Sequence, residues 1–130
     1  MNLVVDTSIL VAVLVSEPER EKLIELTTDA DLLAPGSVHW EIGNALAAMM
    51  KRNRLNLDQA VAVLKAYEQI PIRYRDVDLQ SAMEIASDLN LYAYDAYIIA
   101  CARENRCSMM TLDSSLAQAA KRAHVSVVEV

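Results

Sequence analysis

Apolar positions along the chain fall into two alternating kinds of stretch. One kind is short, rich in β-branched or aliphatic residues, and ends at an acid, proline or glycine. The other is longer, with apolar positions every three to four residues. The first short run, Leu3 to Val5, stops at Asp6 and predicts a strand over 3–5. Thr7 or Ser8 then caps a helix over 9–15. Ser16, Pro18 and Glu19 have the spacing of an N-cap with a capping box, which predicts a helix over 17–28. A strand over 32–34 is halted by Pro35 and Gly36. Ser37 caps a helix over 38–52, and Asn56 with Gln59 opens another reaching 67 or 68, so these two form a helical hairpin. A third strand covers 70–74, with Pro71 at its start or on a sheet edge. Helices over 77–89 and 93–105, a strand over 108–112, a helix over 115–124 and a fifth strand over 126–129 complete the pattern.

Strands alternating with helices imply crossover connections and a mostly parallel five-stranded sheet covered on both faces. In such sheets ligands bind beyond the carboxyl ends of the strands, where strand order reverses. Asp6 ends the first strand and Asp113 follows the fourth, so adjacency of those strands sets two carboxylates side by side. Glu41 and Asp95 lie near the N-terminal ends of their helices, where backbone amides and the helix dipole favour negative charge.

Composition narrows this picture. A chain of 130 residues, 54% hydrophobic with only 2 glycines and 3 prolines, is expected to form one domain over 1–130 around one core of buried helices. Cys101 and Cys107 form neither a disulfide framework nor a zinc-finger spacing, and both are expected reduced and buried. The apolar run 9–15 has no basic residue before it and is short of the about 20 residues that span a bilayer. A cytoplasmic protein without membrane contact is the expectation. The formal net charge of −6 runs against nucleic-acid binding, which ordinarily draws on Lys and Arg, unless part of it belongs to a site that cations neutralise.

Each acid has a plain structural explanation, since Asp after a strand commonly caps a helix. Glu41, however, sits among Trp40, Ile42, Ala45 and Leu46, and Asp95 opens the apolar run Ala96 to Ala102. An unpaired carboxylate on such a helix is costly to bury. Four clustered acids without basic neighbours repel one another, and a divalent cation or a raised pKa relieves that.

The segments VVDTSIL, HWEIGNAL, YDAYIIACA and MMTLDSSLAQAA, in this order across the whole chain, resemble the PIN-domain nucleases. Among these the resemblance is to the short VapC-type toxins of type II toxin–antitoxin pairs. It implies a PIN-like three-layer α/β/α fold and an acidic quartet of Asp6, Glu41, Asp95 and Asp113, supported by Ser8, Asn44 and Thr111. It also implies an endoribonuclease that hydrolyses RNA phosphodiester bonds with a metal-activated water, and an antitoxin partner; the apolar helices offer surface for a homodimer and for a docked partner helix. Mg2+ or Mn2+ suits an all-oxygen donor set, and Mg2+ takes only one or two direct carboxylates while keeping several waters. Four carboxylates accommodate one ion in the free protein and a second when a phosphate arrives.

Substrate contact then falls to local positive charge, with Lys51, Arg52 and Arg54, clustered at the end of the Glu41 helix, as the candidates for RNA binding. Arg73 and Arg75 follow on the third strand, and Arg20 and Lys22 on the second helix. His39 and His124 are assigned structural places, one on another face from Glu41 and one at a helix end. The methionines read as core or interface fillers. Two rival readings use the same architecture. A phosphoacceptor receiver-like domain needs paired acids after the first strand and an acceptor Asp after the third, where this chain has Tyr74 and Arg75. A non-catalytic RNA- or protein-binding PIN-like module would carry four repelling acids to no purpose.

Overall fold

A computed structural model describes residues 1–130. The sheet has four parallel strands, β1 (Asn2–Val5), β2 (Asp31–Pro35), β3 (Ile72–Arg75) and β4 (Ser108–Met110), in the order β3-β2-β1-β4. The expected fifth strand is absent. Residues 126–129 touch the sheet through one parallel bridge, Met109 to Val127, flanked by two backbone hydrogen bonds of 3.0 and 2.9 Å. The strand pattern there is real, but the segment meets β4 at a single point.

Seven helices surround this sheet: α1 (Thr7–Leu14), α2 (Arg20–Thr27), α3 (Val38–Lys51), α4 (Leu57–Glu68), α5 (Leu79–Leu89), α6 (Ala93–Glu104) and α7 (Ser114–Arg122). Several boundaries move for identifiable reasons. Asp6, rather than Thr7 or Ser8, caps α1 by accepting the Ile9 amide at 3.2 Å. The capping box expected at Ser16 does not form. Ser16 takes a left-handed φ of 58° to turn the chain, and α2 starts only at Arg20 with no side-chain cap. Ser37 stands at the start of α3, but its hydroxyl makes no capping bond. At Asn56 the capping box with Gln59 is complete, and α3 and α4 pack as the expected hairpin. Strand β3 runs two residues later at its start than its pattern suggests, leaving Pro71 outside it.

The core is one cluster of 28 buried residues. Strand β1 is buried from Leu3 to Val5, and α6, carrying Ile98, Ile99, Ala100, Cys101 and Ala102 all buried, lies against β1, β2 and β4. Small residues on α6 allow this close approach of helix to sheet, and the about 25 cal/mol per Å2 of apolar burial holds the layers together. Cys101 and Cys107 are free, but Cys107 is only half-buried. His39 is structural, as expected: its Nδ1 lies 2.8 Å from the Tyr67 hydroxyl, and its ring lies over Tyr74 with centroids 4.2 Å apart. This cluster ties the start of α3 to α4 and β3. Burial pushes the Tyr67 phenol up, and the neighbouring Tyr74 hydroxyl adds to the rise.

Candidate active site

Strand order runs outward from β1 in one direction through β2 and β3, then returns to place β4 on the other side of β1. The crevice beyond the ends of β1 and β4 is therefore the switch point of the sheet. Asp6 directly follows β1 there. Its register neighbour is Thr111, because Val5 pairs with Met110, and Asp113 comes two residues later at the start of α7. The expected adjacency of the first and fourth strands holds, with Thr111 rather than Asp113 immediately beside Asp6.

Asp6 is only 6% exposed, and both oxygens of its carboxylate accept hydrogen bonds from the chain. Oδ1 accepts the Ser8 hydroxyl at 2.6 Å and the Ile9 amide at 3.2 Å, while Oδ2 accepts the Thr111 hydroxyl at 2.5 Å. Each hydroxyl in turn accepts a backbone amide from the turn after β4: Leu112 donates to Ser8 at 2.9 Å and Asp113 to Thr111 at 3.0 Å. Two relays thus run from the β4–α7 turn through Ser8 and Thr111 to one carboxylate. A buried carboxylate needs this many donors to remain tolerable.

Glu41 and Asp95 lie in the first turns of α3 and α6, and Asp6 and Asp113 are the N-caps of α1 and α7. Four helix N-termini, each an end of positive partial charge, therefore carry one acid apiece. Glu41 accepts a short hydrogen bond from the Thr7 hydroxyl, across the contact of α1 with α3. In the sequence Thr7 stands only as a candidate cap. The pairing joins residues 34 apart, and nothing local in the sequence announces it. Asp113 Oδ1 accepts the amides of Ser115 and Leu116 at 2.9 and 3.2 Å, so its capping role is real.

The remaining expected residues are not drawn in. Asn44 is exposed on α3, and none of the hydrogen bonds around the acids reaches it. Lys51 ends the same helix, about 15 Å from Glu41 by the helical rise, Arg52 is its C-cap, and Arg54 lies in the turn beyond. Arg54 faces Glu17 at 3.6 Å, a largely exposed pair of small energetic weight.

The PIN domain model matches residues 3–122, nearly the whole chain. The chain belongs to the PIN-domain family. This PIN domain is similar in structure to PAE2754 from Pyrobaculum aerophilum, with a TM-score of 0.75 and 22% identity over 98% of this chain and 83% of that one. It is also similar to VapBC2 from Rickettsia felis bound to a DNA fragment from the promoter, with a TM-score of 0.72 and 14% identity over 98% of both chains. A third likeness is to the toxin VapC20 of Mycobacterium tuberculosis, which cleaves the sarcin–ricin loop, with a TM-score of 0.65 and 16% identity over 90% of this chain and 94% of that one. No curated protein sequence matches the chain.

Within the PIN domain the four acids share one electrostatic neighbourhood. Burial pushes Asp6 up, against the Ser8, Thr111 and Ile9 bonds that pull it down, and Asp113 adds repulsion. Burial also raises Glu41; Thr7 opposes this, while Asp6 and Asp95 reinforce it. Asp95 is raised by burial, then by Asp113 and Asp6. Only Asp113 is held low, through its bonds to Ser115 and the first turn of α7. The donor set is oxygen throughout, so it fits a hard divalent cation. No three of the chain's acid, histidine or cysteine side chains stand close enough to enclose an ion directly. A fit therefore requires water to complete the coordination, as Mg2+ favours.

Proposed function

We propose that the chain is a metal-dependent endoribonuclease, a VapC-type toxin that acts as a single nuclease domain over 1–130. The observation that carries this reading is the burial of Asp6 at the switch point, braced by two hydroxyl relays and surrounded by three more acids on separate helix N-termini. A merely structural acid has no need of three repelling neighbours.

In this reading Asp6, Glu41, Asp95 and Asp113 hold one or two Mg2+ or Mn2+ ions, some of them through water. A bound divalent cation supplies Lewis acidity toward water and phosphate. The chain's own residues supply position. Ser8 and Thr111 fix both oxygens of Asp6, Thr7 fixes Glu41, and the Asp113 cap ties the fourth carboxylate to α7. The four helix N-termini add a field that favours an anionic phosphate. Lys51, Arg52 and Arg54 contact flanking RNA backbone, and Asn44 orients water or substrate at the edge of the site.

RNA as substrate and an antitoxin as partner are supported by the likeness to VapC20 and to VapBC2. A cytoplasmic homodimer completes the proposal, and no helix of the chain is long and apolar enough to cross a membrane. In the receiver-like alternative the acceptor would be Asp76, directly after β3, but that arrangement needs paired acids after β1, where the chain has Asp6 alone, and the charges that act on Asp6, Glu41 and Asp95 come from one another and Asp113, not from Asp76.

The decisive experiment is cleavage of RNA by the purified protein with Mg2+ or Mn2+, with chelator, and with Asp6→Asn or Asp95→Asn. Cleavage is expected only for the wild type with metal. Undiminished cleavage under chelator and in both variants would remove the metal mechanism.

A further inference from the structure

A groove of about 530 Å3, a size typical of small-ligand sites, opens at the ends of β2 and β3, and none of the four acids lines it. Its floor includes Pro35 and Arg75, the last residues of β2 and β3, while the acids stand beyond β1 and β4. Adjacent strands lie about 4.8 Å apart, so the groove and the acids are neighbours along one edge of the sheet. They also share two helices. Trp40 precedes Glu41 on α3, and Tyr94 precedes Asp95 on α6, and both aromatic residues line the groove. Trp40 is 75% exposed and Tyr94 53%. Tyr97 backs Tyr94 edge to face, with centroids 6.0 Å apart.

Four of the chain's six aromatic side chains are exposed, Trp40, Tyr74, Tyr92 and Tyr94, and of these Trp40 and Tyr94 line the groove. Their chemistry narrows the occupant. Without a cation the neighbouring carboxylates repel any anion, a phosphate included, whereas the neutral planar ring of a base meets aromatic faces at no electrostatic cost. Arg75 is the one cation and Asp76 the one acid lining the groove; Arg75 enters neither salt bridge of the molecule, which leaves its guanidinium free for a phosphate or for stacking. Aromatic rings plus one arginine, next to a phosphate-seeking site, match the way unpaired RNA bases are held.

We infer that the Trp40–Tyr94 groove is a stacking subsite for one unpaired nucleobase of the RNA strand whose adjacent phosphate lies at the acids. The inference rests on the nuclease reading above and adds to it a demand for single-stranded RNA at this position.

Trp40 is the only tryptophan in the chain, so its fluorescence reports on the groove directly. A uridine decamer and a decamer abasic at one central position are titrated into the full-length protein, with Ca2+ replacing Mg2+ to slow cleavage. The decamer is expected to quench Trp40, and the abasic strand to bind more weakly. Trp40→Ala, monitored by competition with a labelled decamer, is expected to weaken binding about fivefold to a hundredfold. Trp40→Phe keeps a ring and is expected to remain within about threefold of wild type. Both variants should keep the wild-type metal-induced rise in Tm, since neither touches the acids.

If Trp40→Ala binds and cleaves RNA as the wild type does, the stacking subsite is overturned while the nuclease reading stands. Absence of both cleavage and quenching in the wild type overturns the two together. If sedimentation shows Trp40→Ala converting a dimer to monomer with RNA affinity unchanged, the groove is covered by a second copy and the inference fails.

Discussion

Asp6 joins opposing demands in one side chain, since burial favours its neutral form and three donors favour its charge. Asp6, Glu41 and Asp95 all stand above their ordinary values, so the folded chain holds protons that the unfolded chain has released. Their stabilising contribution is complete below the ordinary carboxylate values of 3.8 and 4.5 and is lost as pH rises through the raised folded values. Asp113 works in the opposite direction, but it is exposed and weighs less. Metal-free Asp6→Asn should therefore melt higher than wild type by a margin that widens as pH rises above the ordinary Asp value of 3.8. Thermal scans would contradict this if the margin narrowed. In the cleavage assay the same variant should lose at least about 100-fold in rate, as expected when several kcal/mol of charge stabilisation disappear. Thr7→Val tests the bond that sequence reading missed. It should cost about 0.5–1.5 kcal/mol of stability and lower cleavage about tenfold, because Glu41 loses its fixed orientation.

At the level of elements, the acids are also helix caps, and the two roles separate by choice of substitution. Asn caps about as well as Asp, whereas Ala does not. Asp113→Asn should thus retain the Tm within the equivalent of a few tenths of a kcal/mol, and Asp113→Ala should lose about 0.5–2 kcal/mol through α7. Cleavage should fall in both. Equal stability losses in the two variants would deny the cap, and full activity in Asp113→Asn would deny the charge. Caps were legible in the sequence only where chemistry was local. Asn56 with Gln59 forms its box as read, while the same pattern at Ser16 is overridden by a left-handed turn. The strand pattern at 126–129 likewise met a short β4 and yielded a single bridge instead of a fifth strand.

Across the whole molecule, a net charge of −6 leaves few cations for RNA backbone, so binding should depend weakly on salt. If Arg75, Lys51, Arg52 and Arg54 are the contacts, log Kd against log salt should have a slope no steeper than about 3, by the single-strand factor of roughly 0.7 per phosphate. A much steeper slope would point to a basic surface elsewhere. Divalent metal at a hundredfold excess over its Kd should stabilise the fold by about 2.7 kcal/mol, and an unchanged Tm would argue against a metal site. The sequence by itself determined the alternation of strands and helices, the single acid after β1 and the four motif segments, because hydrophobic period and turn chemistry are local. Only tertiary structure decided that Thr111 rather than Asp113 stands beside Asp6, that Thr7 holds Glu41, and that Trp40 and Tyr94 share a groove. Those pairings depend on strand order and helix packing, which bring together residues far apart along the chain.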